Sequence, residues 1–264
     1  MITRRRLICA PALSLAGISA PGWAAPAERV ALVIGNGAYR VAPLRNPVAD
    51  AQAVAAALRR IDLVPELVQD ADSATLRDAI SRFADKTLGA KLRVVYFAGH
   101  GAQINGRNYL IPIDADIFDE DDLKRKSVNA SELVERLTRQ PQSANLLIID
   151  ACRNDPAKTA TLLGDGRQLR TRGGPAGLAR MPAPAGSLIA YATAPGKVAD
   201  DSATGAHSLY TKHLLAHLET PGLTLEQLFK RVRLGVLEES QSKQQPWDEN
   251  SLTVEVCLSG RCTG

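Results

Sequence analysis

Two uninterrupted apolar runs, each ending in a small polar tip, constrain the fold of this chain most strongly. One covers residues 94–101 (VVYFAGHG) and the other residues 146–155 (LLIIDACRND). Neither alternates apolar with polar residues, which is typical of strands buried on both faces of a parallel sheet. In open parallel sheets, ligands and chemistry collect outside the carboxyl ends of the strands. The sequence therefore predicts that His100 and Cys152, at the ends of these two strands, form an imidazole–thiolate dyad.

The remaining pattern alternates strands with helices, which implies right-handed β-α-β crossovers. Further strands are predicted over 29–35, 63–68, 187–193 and 252–258, with a hairpin turn at Asn105-Gly106. Helices are predicted over 48–61, 73–88 capped by Ser73, 131–139 closed by Pro141, 208–218 and 225–238. With 264 residues, 45% of them hydrophobic, the chain can bury one large core. We expect an α/β three-layer sandwich, a mostly parallel six-stranded sheet with helices on both faces.

Residues 1–27 have the layout of a secretory signal peptide. Arg4, Arg5 and Arg6 precede an apolar stretch over 7–20, and small residues follow, with cleavage after Ala24 or Ala27. The arginines also resemble a twin-arginine signal, although they fit an ordinary signal. An uncleaved membrane anchor is the alternative. We expect a periplasmic or secreted protein with no stable membrane insertion after cleavage.

The formal charge of +4 misleads about partners. Without residues 1–27 the chain has 29 basic and 28 acidic residues. This balance gives no reason to expect a nucleic acid partner.

Three cysteines remain after signal cleavage. Cys257 and Cys262, near the C-terminal tail 259–264, form either a small disulfide in an oxidising compartment or two free thiols. Cys152 is the odd cysteine and must stay reduced to act as a nucleophile.

The chemistry of the dyad follows from its residue types. A cysteine attacks a carbonyl carbon as its thiolate, and a histidine within reach acts first as base and then as acid for the leaving amine. Gly99 and Gly101 let the backbone approach a substrate closely. The backbone N–H groups of Gly101 and Cys152 are the candidates for an oxyanion hole.

These residues resemble the caspase-like cysteine peptidases, and within them the bacterial metacaspase-like (orthocaspase) group. The similarity lies in GHG at 99–101 and DACR at 150–153, with His100 placed 52 residues before Cys152. The caspase signature has a similar Ala-Cys-Arg and a histidine about 50 residues upstream. Asp150 and Asn154 depart from its Gln and Gly. Further similar blocks are NYLIPIDA (108–115), LIAYATAPG (188–196), HSLYTKHLL (207–215) and QQPWDENSL (244–252), so the resemblance covers a domain over 28–258.

The resemblance implies a cysteine endopeptidase that acts on protein or peptide substrates, and a monomer, since metacaspases mostly stay monomeric. Metacaspases carry Asp two residues before the cysteine and a second Asp in an early loop, and Asp150 and Asp50 match these positions. Two such carboxylates would select Arg or Lys before the cut. The alternative for Asp50 is a carboxylate that interacts with the helix dipole. Ala98 replaces a small hydroxyl residue often found two positions before the histidine.

Residues 155–186 are rich in Gly, Pro, Ala and Arg and predict a mobile loop between a larger and a smaller part of the domain. Self-cleavage by a basic-specific enzyme is one interpretation, and a loop that is never cut is the other. Candidate cleavage residues are Lys158, Arg167, Arg170, Arg172 and Arg180.

No cofactor or metal is expected. Some metacaspases need calcium, and residues 114–122 are rich in carboxylates, but they lack the Gly-punctuated spacing of a calcium loop, which favours a solvated acidic loop. His213 and His217 lack the Glu of a zinc motif. His207 could fall near the site, but nothing in the sequence supports a role for it.

Two other classes of function remain open: a non-catalytic domain of the same fold that binds a peptide or partner, and a doubly wound domain that binds a nucleotide. Gly35-Asn36-Gly37 does not complete a phosphate-binding fingerprint, and the intact dyad disfavours the first.

Overall fold

The computed structural model describes residues 28–117, 119–139, 143–152, 177–195, 197 and 205–262. Their eight strands form one connected sheet. The strands are β1 (Arg29–Gly35), β2 (Val64–Gln69), β3 (Leu92–Ile104), β4 (Arg107–Leu110), β5 (Val128–Asn129), β6 (Ala144–Cys152), β7 (Ser187–Tyr191) and β8 (Trp247–Asn250). The main path of six runs β2-β1-β3-β6-β7-β8, in which only β8 is antiparallel to its neighbour.

The described helices cover both faces of this sheet. They are α1 (Pro47–Arg60), α2 (Ser73–Lys86), α3 (Glu120–Lys126), α4 (Ala130–Thr138), α5 (Leu209–Leu218) and α6 (Leu225–Glu239). One apolar cluster packs α1, α5 and α6 on one face, and a second packs α2 and α4 on the other. The predicted three-layer α/β sandwich is confirmed.

Strand β3 is long because its two parts pair with different strands. Its first part pairs in parallel with β1 and β6, and its last part turns back as an antiparallel hairpin with β4. Asn105 and Gly106 both have positive φ, 50° and 75°, as the tight turns of two-residue hairpins require. The predicted hairpin is therefore present, and it places His100 where the strand changes partner.

One predicted strand and one predicted helix cap are wrong. The last strand covers 247–250 and not 252–258. Val256 and Leu258 are buried in the cluster that contains α1, α5 and α6, and an isolated antiparallel bridge between Thr224 and Cys257 takes the place of a strand. Helix α2 is capped by Asp72, whose carboxylate accepts the Thr75 N–H at 2.7 Å, and Ser73 is its first residue. An aspartate is as good a cap as a serine, so the one-residue error is a choice between neighbours.

The C-terminal segment is closed on itself by a disulfide and held to β1 by hydrogen bonds. Cys257 and Cys262 form a disulfide. The guanidinium of Arg29, in β1, donates to the carbonyls of Cys257 and Leu258. Of the two possibilities for this cysteine pair, the structure has the disulfide.

The predicted loop 155–186 is described only from residue 177 onward. There Leu178 and Met181 are buried in the apolar cluster beneath the sheet, and Arg180 pairs with Glu249 at 2.6 Å. The proposed signal peptide, residues 1–27, and the other candidate cleavage residues lie outside the described part. Within the described ranges, no helix combines the length and apolarity needed to cross a bilayer.

Candidate active site

His100 and Cys152 lie side by side at the carboxyl ends of adjacent parallel strands. The register of β3 with β6 pairs Gly99 with Ala151 and His100 with Cys152. Neighbouring strands run about 4.8 Å apart, so the two backbones are adjacent. The pairing follows from the apolar runs themselves, which are buried in the centre of the sheet.

The ring of His100 is buried and held by the loop that follows β1. Its Nε2 lies 2.8 Å from the carbonyl oxygen of Ala42, and Ala42 has a positive φ of 53°. Because a carbonyl only accepts hydrogen bonds, Nε2 carries the proton in this contact. Nδ1 is then the nitrogen at which the neutral ring can accept a proton. The ring of Tyr39 packs against the imidazole with centroids 4.3 Å apart.

The backbone at Gly101 is shaped by the start of the hairpin. The Ile111 N–H donates to the His100 carbonyl at 3.0 Å, so Gly101 and Leu110 face each other as a non-hydrogen-bonded pair. The hairpin ladder therefore does not use the Gly101 N–H. A Cβ at Gly101 would lie 3.0 Å from the Ala151 Cβ, which favours glycine there.

The carboxylates of Asp50 and Asp150 are brought together by the start of α5. Ser208 is the residue that links them: its backbone N–H donates to Asp50 at 3.2 Å, and its hydroxyl donates to Asp150 at 2.5 Å. His207 adds a contact between its Nδ1 and the Asp50 carboxylate at 2.7 Å. Both aspartates are buried, with 1% and 5% of their surface exposed. The structure thus joins two residues 100 positions apart in the sequence.

A buried hydroxyl chain extends from Asp150 into the core. The Thr211 hydroxyl donates to Asp150 at 2.7 Å and lies 2.6 Å from the Tyr96 hydroxyl. Since the Thr211 proton is used on Asp150, Tyr96 is the donor to Thr211. Ala98, which pairs with Asp150 across β3 and β6, brings no hydroxyl. The two hydroxyls that donate to Asp150 belong to Ser208 and Thr211, on α5 and its cap.

Burial dominates the electrostatics of Asp50. It raises the pKa of Asp50 above its ordinary value, against the opposing effects of the Ser208 N–H and of His207. Burial also raises the pKa of Tyr96 far above its usual range, and the neighbouring charges of Asp150 and Asp50 act in the same direction. Tyr96 is therefore a neutral hydrogen-bond donor. The hydrogen bonds that the structure gives the Asp50 carboxylate come from His207 and Ser208, not from the amides of its own helix.

Sequence reasoning missed His207, Ser208 and Thr211. The only available signal was the similarity of the block over 207–215, which carried no roles for its residues. Ser208 also caps α5, since its oxygen accepts the Thr211 N–H at 3.0 Å. A cap can be read from local sequence, whereas contacts with Asp50 and Asp150 depend on how distant elements pack.

The acidic residues 114–122 are used in local contacts. Asp114 accepts the Ser73 N–H, Asp119 caps α3, and Asp122 pairs with Lys126 at 3.0 Å. Among the described residues, no group of three or more His, Cys, Asp or Glu side chains is arranged to hold a metal ion. His213, on α5, contacts Glu239, on α6, at 2.9 Å. The described hydrogen bonds of Asp50 and Asp150 do not involve these two residues.

A comparison with solved structures identifies the fold class of this protein. The structure is similar to caspase-1 from Spodoptera frugiperda, with a TM-score of 0.64, 17% sequence identity, and coverage of 92% of this chain and 97% of that chain. At this identity the likeness shows the fold, which is caspase-like.

Sequence comparison identifies the family. Residues 28–257 match the family described as Caspase domain, and the chain belongs to this family of cysteine-peptidase type. It is also 26% identical over 140 residues to the human mucosa-associated lymphoid tissue lymphoma translocation protein 1, and 25% identical to the Mus musculus homolog. The match covers 52% of this chain and only 16% of each of those proteins.

Proposed function

We propose that this protein is a cysteine endopeptidase with Cys152 as nucleophile and His100 as general base and acid. The observation that carries the proposal is the register of β3 with β6, which pairs these two residues at adjacent carboxyl strand ends. Membership of the caspase family supports the same chemistry. In this mechanism Nδ1 of His100, the nitrogen not bonded to Ala42, takes the thiol proton and later protonates the leaving amine.

The oxyanion of the tetrahedral intermediate would be held by backbone N–H groups of Gly101 and Cys152. Gly101 follows His100, whose register partner is Cys152, so both backbone groups lie at the same strand ends, which supports this role. Such a donor is typically worth about 3 kcal/mol of transition-state stabilisation.

Substrate selection is assigned to the acidic pair. Two buried carboxylates bridged by Ser208 favour an Arg or Lys side chain before the cut, because opposite charges attract strongly out of water. The enzyme is proposed to work as a monomer in the periplasm or outside the cell, without a cofactor. Self-cleavage would fall at basic residues over 158–172, since Arg180 is already paired with Glu249.

The test is hydrolysis of a fluorogenic peptide panel with Arg, Lys, Asp or Ala before the cut, using reduced protein with and without calcium. Wild type should cleave the Arg and Lys peptides. Cys152→Ala and His100→Ala should each lower kcat by at least about 10³-fold. His213→Ala is the matched control, because His213 contacts Glu239 on the helical surface.

The possible results separate the parts of the proposal. Cleavage after Asp would keep the dyad and reject the acidic pocket. No cleavage by folded protein, under all conditions, would favour a non-catalytic caspase-fold domain that binds peptides.

A further inference from the structure

Strand β3 changes its partner at His100, and there the hairpin ladder contains an inserted side chain. In a regular antiparallel pair, His100 and Ile111 would exchange two backbone hydrogen bonds. One is present, from the Ile111 N–H to the His100 carbonyl at 3.0 Å. The other is replaced by the hydroxyl of Tyr39, which accepts the His100 N–H at 2.8 Å and donates to the Ile111 carbonyl at 2.9 Å.

Gly99 leaves room for this hydroxyl because it has no side chain. A Cβ on Gly99 would lie 2.6 Å from the Tyr39 oxygen, closer than real Cβ contacts allow. Gly99 also has a φ of 156°, which side chains rarely adopt. The glycine before His100 therefore serves the inserted hydroxyl as well as the approach of a substrate.

The ring of Tyr39 acts on the same histidine from another side. It packs against the imidazole at 4.3 Å, while Ala42, three residues later in the same loop, accepts from Nε2. The loop itself is fixed, because the N–H groups of Gly37 and Ala38 both donate to the Asp70 carboxylate at 2.8 Å. One anchored loop thus contacts the backbone, the ring face and the ring edge of His100.

We propose that Tyr39 is a positioning residue for His100, the proposed general base. The Tyr39 hydroxyl, inserted between the His100 N–H and the Ile111 carbonyl, keeps the two strands of the hairpin apart at this point. Removing the hydroxyl takes this acceptor from the buried His100 N–H, which is costly, whereas the Ile111 carbonyl keeps the Asn36 side-chain amide as a donor at 3.3 Å. The nearest replacement acceptor for the His100 N–H is the Ile111 carbonyl, through the direct ladder bond. Closing it draws His100 towards β4 and its imidazole away from the Ala42 carbonyl. The catalytic part of this inference rests on the proposed function.

The first experiment compares Tyr39→Phe with Tyr109→Phe. Tyr109 is a matched control, since it belongs to the same buried apolar cluster as Tyr39. At temperatures well below melting, Tyr39→Phe should lower kcat by about 10- to 100-fold, as displacement of a catalytic group by about 1 Å does. KM should stay within about twofold, and Tyr109→Phe should leave both constants within about twofold. An unchanged kcat, or a rise in KM alone, overturns the inference.

The second measurement does not need turnover. The protein has four histidines, and the His100 ring signal in a carbon-13 NMR spectrum is assigned by its loss in His100→Ala. Tyr39→Phe should move this signal and leave the signals of His207, His213 and His217 in place. An unmoved His100 signal overturns the positioning role. If wild type cleaves no peptide while the signal moves, the proposed function fails and the positioning of His100 by Tyr39 stands.

A double-mutant cycle tests the glycine. Gly99→Ala should lower kcat strongly in the wild-type background. Its effect should be several-fold smaller in the Tyr39→Phe background, because the closest atom has been removed. Effects that simply multiply would show that Gly99 and the Tyr39 hydroxyl act separately, and would contradict the inserted-hydroxyl account.

Discussion

His100 and the aspartate pair lie at the carboxyl ends of the sheet strands, but different parts of the chain hold them in place. The contacts named above for His100 come from Tyr39, Ala42 and Ile111, all of which precede residue 153. The contacts named above for Asp50 and Asp150 come from residues 207–211, which follow residue 176. A cut between 153 and 176 would therefore leave every named contact of His100 within one fragment. The named contacts of the aspartates would join two fragments.

Under the proposed function, this difference separates positioning of the base from recognition of the substrate. The histidine depends on one anchored loop and on backbone groups. The acidic pair depends on α5 packing back onto α1 and β6. Changes in the C-terminal part should therefore act first on substrate selection, and changes in the loop at 36–46 should act first on kcat.

The largest effect on kcat/KM is expected when the charge of Asp150 is removed. Asp150→Asn keeps acceptors for Ser208 and Thr211 but removes the buried charge, so kcat/KM for the Arg peptide should fall about 100-fold, with a small effect on the Ala peptide. Steady-state kinetics on both peptides measure this.

Asp248→Asn is the matched control, because Asp248 is a partly buried aspartate outside the acidic pair and its partner is Arg233 on α6. Equal losses in the two variants, or equal losses on the Arg and Ala peptides, would show that Asp150 supports the fold and not recognition.

The pH dependence of substrate binding tests Asp50. Burial raises the pKa of Asp50, so on acidification it takes up a proton at higher pH than an exposed aspartate, and KM for the Arg peptide should rise there. Asp50 also affects stability, because its pKa is higher in the folded than in the unfolded protein. Its contribution to the free energy of unfolding is fully present below the ordinary aspartate pKa and is lost as pH rises through the raised value.

Asp50→Asn should flatten both curves. The difference in melting temperature between wild type and the variant should shift in favour of the variant as pH rises. A variant whose KM keeps the acid-side rise would assign that rise to another group.

The smallest expected effect distinguishes a helix cap from a pocket residue. Ser208 and Thr224 cap α5 and α6 respectively, and Ala at either should cost about 1 kcal/mol of unfolding free energy. Only Ser208 also donates to Asp150. Ser208→Ala should therefore raise KM for the Arg peptide several-fold, while Thr224→Ala should not, as denaturant unfolding and kinetics together would show.

Much of the architecture could be read from local pattern. The apolar runs at 94–97 and 146–149 predicted central parallel strands, and Asn105-Gly106 predicted a hairpin whose two turn residues do have positive φ. Prediction failed at 252–258, where Val254 is exposed, Val256 and Leu258 are buried against the helices, and an isolated bridge at Cys257 takes the place of a strand. The same spacing has two physical causes, and the sequence alone does not separate them.

The amino-acid sequence by itself determined the layered α/β fold and the pairing of His100 with Cys152, because buried apolar runs, helix caps and strand ends are short-range signals. Only the tertiary structure decided which groups hold these residues. Tyr39 reaches the hairpin ladder through its hydroxyl, and Ser208 bridges Asp50 and Asp150, residues 158 and 58 positions away. Such contacts depend on where packed elements place single polar atoms to a fraction of an ångström, and no local pattern of residues carries that information.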